Sequence, residues 1–241
     1  MTGVTQHSAP DARAAGDLDD HDGPDDLLDA DPTAGELDDP DSAPRRAWRR
    51  RTAIEMVVSG VLGLYTSFVL SIEAWHLAAN PQATFSCDLS SVVSCGTVAR
   101  SWQAQLLGFP NAFLGIAFEV VVITISVAAI GGVRFPRWFM LGTQALYTVA
   151  LLFAYWLFHQ SYFDIGALCP WCLLITVTTT LVWAGLTRWN VRDGHLRLPG
   201  RAGPWARDFV AAGTDWYITV AWLVLLAAAV LLKYGPSLLP A

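Results

Sequence analysis

Apolar residues in this chain fall into five long runs separated by polar stretches: Ile54 to about Leu77, Ala112 to Ile130, Trp138 to Phe158, Cys169 to Leu186, and Trp216 to Leu232. Each run holds about 17–24 residues, the length that crosses roughly 30 Å of hydrocarbon as an α-helix. The pattern predicts an all-α membrane protein with five transmembrane helices, since a helix satisfies its own backbone groups in lipid. Between the first two runs, Thr97 to Leu107 is moderately apolar and ends at Gly108-Phe109-Pro110. It is too short to span, and predicts a half-helix lying at the interface as a lid on the bundle, with Trp102 as its anchor. Residues 1–44 are rich in Asp, Ala, Gly and Pro without apolar periodicity. Such a segment buries too little surface to offset its ordering entropy, so a disordered acidic tail is expected there. A four-helix bundle over 45–188, a loop over 189–213, and a fifth helix with the C-terminus over 214–241 complete the predicted organisation.

Composition agrees: 54% of the 241 residues are hydrophobic and 15% charged, too apolar for a soluble domain of this length. The formal net charge of −6 changes the picture only locally. Of the 21 acidic residues, 13 lie between Asp11 and Asp41, leaving 8 elsewhere, against 14 basic residues from Arg45 onward. The acidic balance therefore points neither to a nucleic acid nor to an acidic substrate. Basic residues orient the spans. With the N-terminus in the cytoplasm, Arg13, Arg45, Arg46, Arg49, Arg50, Arg51, Arg134, Arg137, Arg188, Arg192, Arg197, Arg201 and Arg207 lie inside, and Arg100 and Lys233 outside. That split places the loop from about Ala78 to Asn111, the loop from about His159 to Leu168, and the C-terminus on the outer face of a cell (inner) membrane. A cleaved signal peptide is the competing reading of the arginine cluster, but the apolar run after it is too long for one.

Four cysteines then lie on or near the outer face, where disulfides persist: Cys87, Cys95, Cys169 and Cys172. Cys169-Pro170-Trp171-Cys172 opens the fourth span. Two thiols three apart on a first helical turn can close a small disulfide, and the helix N-terminus favours the thiolate, whereas apolar burial opposes it. Pro170 suits that turn, where its missing N–H costs nothing. Cys87 and Cys95 sit in a polar loop among Ser86, Asp88, Ser90, Ser91 and Ser94. On residues alone, the CxxC pair reads as redox-active, zinc-binding or inert, and the loop pair as a structural staple or a mobile dithiol. A loop dithiol facing a helix-end dithiol is the arrangement for relaying electrons through mixed disulfides. Four thiolates could also hold zinc, although the seven-residue gap between Cys87 and Cys95 is unlike the usual ligand spacing.

Cys87-Asp88 and, after six intervening residues, Cys95, in a loop after the first span, a short helix, and a CxxC opening the fourth span resemble the vitamin K epoxide reductase (VKOR) family in its bacterial five-span form. The resemblance covers about Arg51 to Thr187. It differs from the other quinone-coupled disulfide-generating membrane family, in which the CxxC falls in the first outer loop. The resemblance implies a quinone-dependent thiol–disulfide oxidoreductase in which Cys87 exchanges with a partner dithiol. Cys95 would attack the helix pair through a transient disulfide with Cys169, and Cys172 would face the quinone, menaquinone or ubiquinone. Ser101 matches the family's Ser/Thr near the quinone, and Asn111 resembles an Asn that hydrogen-bonds the quinone carbonyl in vertebrate members. Where those members carry Tyr four residues after the CxxC, this chain has Thr176, which counts against epoxide turnover. No thioredoxin domain follows the fifth span, so the implied partner is a separate extracytoplasmic thioredoxin-fold disulfide carrier.

A quinone pocket would lie between helices near the outer interface, with Phe113, Trp102 and Trp171 as candidate lining, although aromatics there often serve only as membrane anchors. Among carboxylates in the spans, Glu55 and Glu73 lie near the ends of the first, and Glu119 about a third of the way into the second. Intramembrane carboxylates are costly and so are functional candidates; Glu119 could deliver protons or pair within the bundle. His76 and His159 read as interfacial. The expected activity is oxidation of the carrier with electrons passing to a lipid quinone. The alternatives are a reductase of quinone or vitamin K epoxide fed by another thiol donor, and a non-enzymatic helical scaffold with structural disulfides or a metal site.

Overall fold

The computed structural model describes residues 43–238. Residues 1–42 of the expected acidic tail, Arg13 among them, lie outside the described residues. Contacts divide the chain into residues 1–45 and 46–241, and all four cysteines belong to the second unit.

Seven α-helices follow in order among the described residues: α1 Ala43–Ala79, α2 Cys95–Ala99, α3 Ala112–Ile130, α4 Arg137–His159, α5 Pro170–Arg192, α6 Ala202–Ala211 and α7 Thr214–Leu238. Five of these are long and apolar enough to cross a membrane, over Pro44–Ala79, Ala112–Ile130, Arg137–Ile165, Pro170–Arg192 and Thr214–Gly235. There is no strand among the described residues, only an isolated parallel bridge between Val93 and Leu168.

Most differences from the sequence reading lie at helix ends. α1 begins at Ala43, about three turns before Ile54, because the arginines ahead of it are good helix formers. α5 likewise runs past Leu186 to Arg192, where Asp193 anchors it. The third span gains a π-turn over Gln160–Ile165, ended by Gly166 at φ 70°, a left-handed conformation that glycine adopts without a Cβ penalty. The lid is two short pieces, α2 and a 3-10 turn over Trp102–Gln105. Ser101 breaks it: its backbone is extended at φ −72° and ψ 149°, and its hydroxyl donates to the Val98 carbonyl at 2.6 Å. Within the expected loop 189–213, α6 packs Ala206 and Val210 on Val191.

Two cores lie along the bundle axis. Ala53, Met56, Val122, Met140, Tyr147, Val182, Leu186 and Trp189 close the half nearer the arginines. Phe85, Cys87, Cys95 and Cys169 form the second, with Leu70, Leu77, Val98 and Trp171 packed round it. The ends of α1 and α4 and the starts of α3 and α5 meet at this sulfur-rich end. At the opposite end Arg188 bridges Glu55 of α1 at 3.3 Å and Asp215 of α7 at 2.6 Å. Arg49 pairs with Asp193 at 2.7 Å. α7 turns Tyr217, Ile218, Val224, Leu225, Leu231 and Leu232 outward, the apolar surface a lipid-facing helix presents.

Candidate active site

Cys87 and Cys95 are joined as a disulfide, whereas Cys169 and Cys172 are free thiols. The sequence makes α5 start where it does: Pro170 takes the first helical position, and Cys169 caps the end with its sulfur, which accepts the Cys172 backbone N–H at 3.3 Å. The Cys169 thiol is held below its ordinary pKa by a hydrogen bond from the Cys172 thiol, which, with the N–H groups of Cys172 and Trp171, outweighs burial and nearby Glu73. The Cys169 sulfur lies 3.1 Å from that of Cys95. Both residues are almost fully buried, at 2% and 1% exposure. Thus the two cysteine pairs are in contact, and the sulfurs that touch are Cys95 and Cys169.

Backbone pairing holds the loop against the α5 entry. Leu168 N–H donates to Val92 O at 2.8 Å and Ser94 N–H to Leu168 O at 3.0 Å. Asp88 organises the turn between the loop cysteines. Its carboxylate accepts the Phe85 N–H, the Gly96 N–H and the Ser94 hydroxyl, each at 2.8 Å. Partial burial pushes the Asp88 carboxyl up, but those donors and Arg100 prevail and hold its pKa below the ordinary aspartate value. Glu73 anchors the other side, accepting the Ser86 hydroxyl at 2.8 Å, with its second oxygen 3.8 Å from the Cys87 sulfur. Cys87, 7% exposed, is therefore tucked in as well.

A cavity of about 400 Å³ opens between α1, α3, α4 and α5 beneath the lid, within the size range of small-molecule sites. Cys95, Cys169 and Cys172 line it, as do Ser101, Asn111 and Thr176. The rest of its wall is mainly apolar, including Leu114, Phe118, Phe153, Leu157 and Leu173. Asn111 donates through Nδ2 to the Gln103 carbonyl at 2.7 Å, and its Oδ1 is buried without a partner. A buried orphan acceptor beside a thiol in an apolar cleft suits a flat apolar ring bearing a hydroxyl donor, as the reduced form of a quinone does. Thr176 donates back along its own helix to the Cys172 carbonyl at 3.0 Å, leaving oxygen lone pairs toward other donors. Phe113 is not among the lining residues; its ring is 43% exposed and stacks with Phe109. Trp102 is likewise outward, against Trp156, and Trp171 packs edge-on to Tyr65.

Sequence reasoning missed Tyr147 and Thr179, which also line the cavity, because one hydroxyl in an apolar helix has no spacing signature. Glu119, singled out as an intramembrane carboxylate, lies on the cavity wall. Among the described residues, no group of three or more His, Cys, Asp or Glu could hold a metal ion.

A comparison with curated proteins finds no match. The family comparison is decisive: residues 54–186, more than half of the chain, match the Vitamin K epoxide reductase family, and the protein belongs to that family.

Proposed function

We propose that the protein reoxidises a thioredoxin-fold disulfide carrier outside the cytoplasm and passes the electrons to a lipid quinone through its two cysteine pairs. Family membership and five helices long enough to span make it a multi-pass membrane oxidoreductase and support quinone-linked disulfide chemistry; the quinone, the carrier, the direction of flow and the orientation are our reading. The 3.1 Å approach of Cys95 and Cys169 carries it. The excess of arginines at the end remote from the sulfurs supports a cytoplasmic N-terminus and an outward-facing site.

In this scheme the carrier's dithiol attacks Cys87, and its second thiol completes the exchange, leaving the carrier oxidised and Cys87 and Cys95 as thiols. Cys95 thiolate then attacks Cys169 of a closed Cys169–Cys172 disulfide, forming a Cys95–Cys169 bond and releasing Cys172. Cys87 attacks Cys95, restores the loop disulfide and frees Cys169. The arrangement described above, with the loop pair closed and the helix pair reduced, corresponds to that stage. A quinone in the cavity supplies a two-electron, two-proton acceptor, and Cys169 and Cys172 close their disulfide as they give up both. Asn111 would orient the ring from the lid end through its orphan oxygen, which accepts from a quinol hydroxyl. Electrons run downhill when each successive disulfide, from the carrier to Cys87–Cys95 to Cys169–Cys172, is the stronger oxidant, about 30 mV per step being worth about 1.4 kcal/mol.

The test is anaerobic mixing of the purified protein with a reduced thioredoxin-fold protein and a menaquinone or ubiquinone analogue, following quinol formation. C169S and C172S should abolish it. C87S should spare reaction with a small dithiol more than reaction with the protein carrier. Equal loss with both reductants, or a wild-type protein that forms no quinol, would overturn this reading.

A further inference from the structure

The quinone reading leaves one buried acid on the cavity wall without a task. Glu119 is 3% exposed, in the apolar interior of α3, and lines the same cavity as Cys172. Of the other carboxylates in the spans, Glu55 and Asp215 are engaged by Arg188 and Glu73 by Ser86, and Asp164 lies in the π-turn that ends the third span. Among the described residues no basic side chain forms an ion pair with Glu119. The Tyr147 hydroxyl donates to the Phe118 carbonyl at 2.9 Å and lies 3.5 Å from Glu119 Oε2. Across the bundle, the carboxyl presses on the α1 backbone at Gly63, where a Cβ would overlap Oε1 and lie 3.1 Å from Thr178 Oγ1. The titratable neighbours are therefore Tyr147 from α4 and, through the cavity, Cys169 and Cys172 at the start of α5; α1 contributes only backbone at this point.

A carboxyl is an expensive way to hold helices together in an apolar interior, where an amide or hydroxyl would satisfy Tyr147 at lower cost. What a carboxyl adds is a proton it can release. Its position fits that use. Eight residues separate Asn111 from Glu119, about 12 Å along the α3 axis at 1.5 Å per residue. Asn111 thus marks the lid end of the cavity and Glu119 the deep end. The two oxygens of a para-quinone point in opposite directions, so thiols at one edge do not serve both.

We propose that Glu119, oriented by Tyr147, donates the proton to the quinone oxygen that lies remote from Asn111. This rests on the quinone reading above. Cys169 and Cys172 lose two electrons and two protons in closing their disulfide. One proton goes to the near oxygen, Glu119 gives its proton to the far one, and the second thiol proton restores Glu119. The sum is dithiol plus quinone giving disulfide plus quinol, with nothing left over. Glu119 is then a catalytic residue and Tyr147 a positioning residue.

The experiment compares wild type, E119Q and E119D as full-length protein in lipid nanodiscs with a menaquinone or ubiquinone analogue. Single-turnover quinol formation is followed across pH, and reduction of the Cys87–Cys95 disulfide by dithiothreitol is measured separately. E119Q should slow quinol formation by about 100-fold or more and flatten its pH profile, while disulfide reduction proceeds as in wild type; E119D should retain much of the rate. E119Q at the wild-type rate, or E119D and E119Q impaired equally, overturns the role of Glu119 while leaving the quinone reading intact. A wild-type protein that forms no quinol overturns both. Should E119Q not be recovered folded, Y147F keeps the ring and removes only the hydroxyl. It should shift the pH profile of quinol formation, and an unshifted profile overturns the proposal.

Discussion

Asp88 collects three donors on one carboxylate, all at 2.8 Å, and so ties Phe85, Ser94 and Gly96 round the loop disulfide. An asparagine could accept at only one side-chain atom and would turn an NH₂ toward another donor. Hydrogen bonds to a charged group are worth about 1.5–3 kcal/mol each, so D88N should speed opening of this loop tenfold or more. Hydrogen exchange at the Phe85 and Gly96 amides, corrected for intrinsic rate, would measure it. The sign with pH follows from the lowered pKa of the folded state. A depressed carboxyl stabilises above its unfolded value, near 4 for aspartate, and loses that contribution as pH falls through the lower folded value. Wild-type protection should therefore fade in that acid range, and D88N should show no such fade; identical profiles would refute the role. The cysteines themselves were legible as residues because their two spacings are local. The role of Asp88 was not, since its three partners are set by the fold of the loop, and a polar serine-rich stretch reads equally well as mobile.

At the scale of elements, the bundle depends on α1 and α3 approaching closely at Gly63, where any Cβ would collide with the Glu119 carboxyl. Small residues at such crossings let helices pack in lipid. G63A should cost about 1–3 kcal/mol through overpacking and displace the carboxyl from the cavity. G142A, at a glycine with no atoms within 4 Å of a built Cβ, should be neutral or slightly stabilising. Thermal unfolding of both variants in the same detergent would decide it: equal midpoints for the two would deny a special crossing at Gly63. Helix existence was readable because each span is a single uninterrupted apolar run. Helix ends were not, because lipid-length arguments stop at the interface, while arginine propensity and the Arg49–Asp193 pair carry α1 and α5 further. The lid likewise read as one half-helix, and the break at Ser101 comes from a hydroxyl that bonds back to Val98.

For the molecule as a whole, α7 turns much of its apolar surface outward, and Arg188 is a principal tie between it and the four-helix bundle, joining Glu55, Asp215 and the Trp216 ring. Removing the cation would leave two carboxylates facing each other in a half-buried site. R188A should therefore destabilise the protein by about 3–5 kcal/mol. R188K should fall between, because an ammonium lacks the planar fork that serves two acids at once. Limited proteolysis around α6 and α7, together with the unfolding midpoint, would report the loss; an R188A protein as stable as wild type would show that the lipid alone holds α7. At the other end, Tyr155 with Trp222 and Tyr162 with Ala229 add neutral ties of the kind that tolerate lipid.

Hydropathy and cysteine spacing were sufficient for five helices of membrane-spanning length and for four cysteines gathered at one end of the bundle. Those features follow from solvation of short contiguous segments, which a chain carries irrespective of its neighbours. That Cys95, not Cys87, is the loop sulfur touching Cys169, that Phe113 faces away from the cavity, and that Tyr147 stands beside Glu119 depended on helix rotation and on where the loop is pinned. Such facts arise from packing between residues tens of positions apart, where small differences in contact free energy choose one face of a uniformly apolar helix over another.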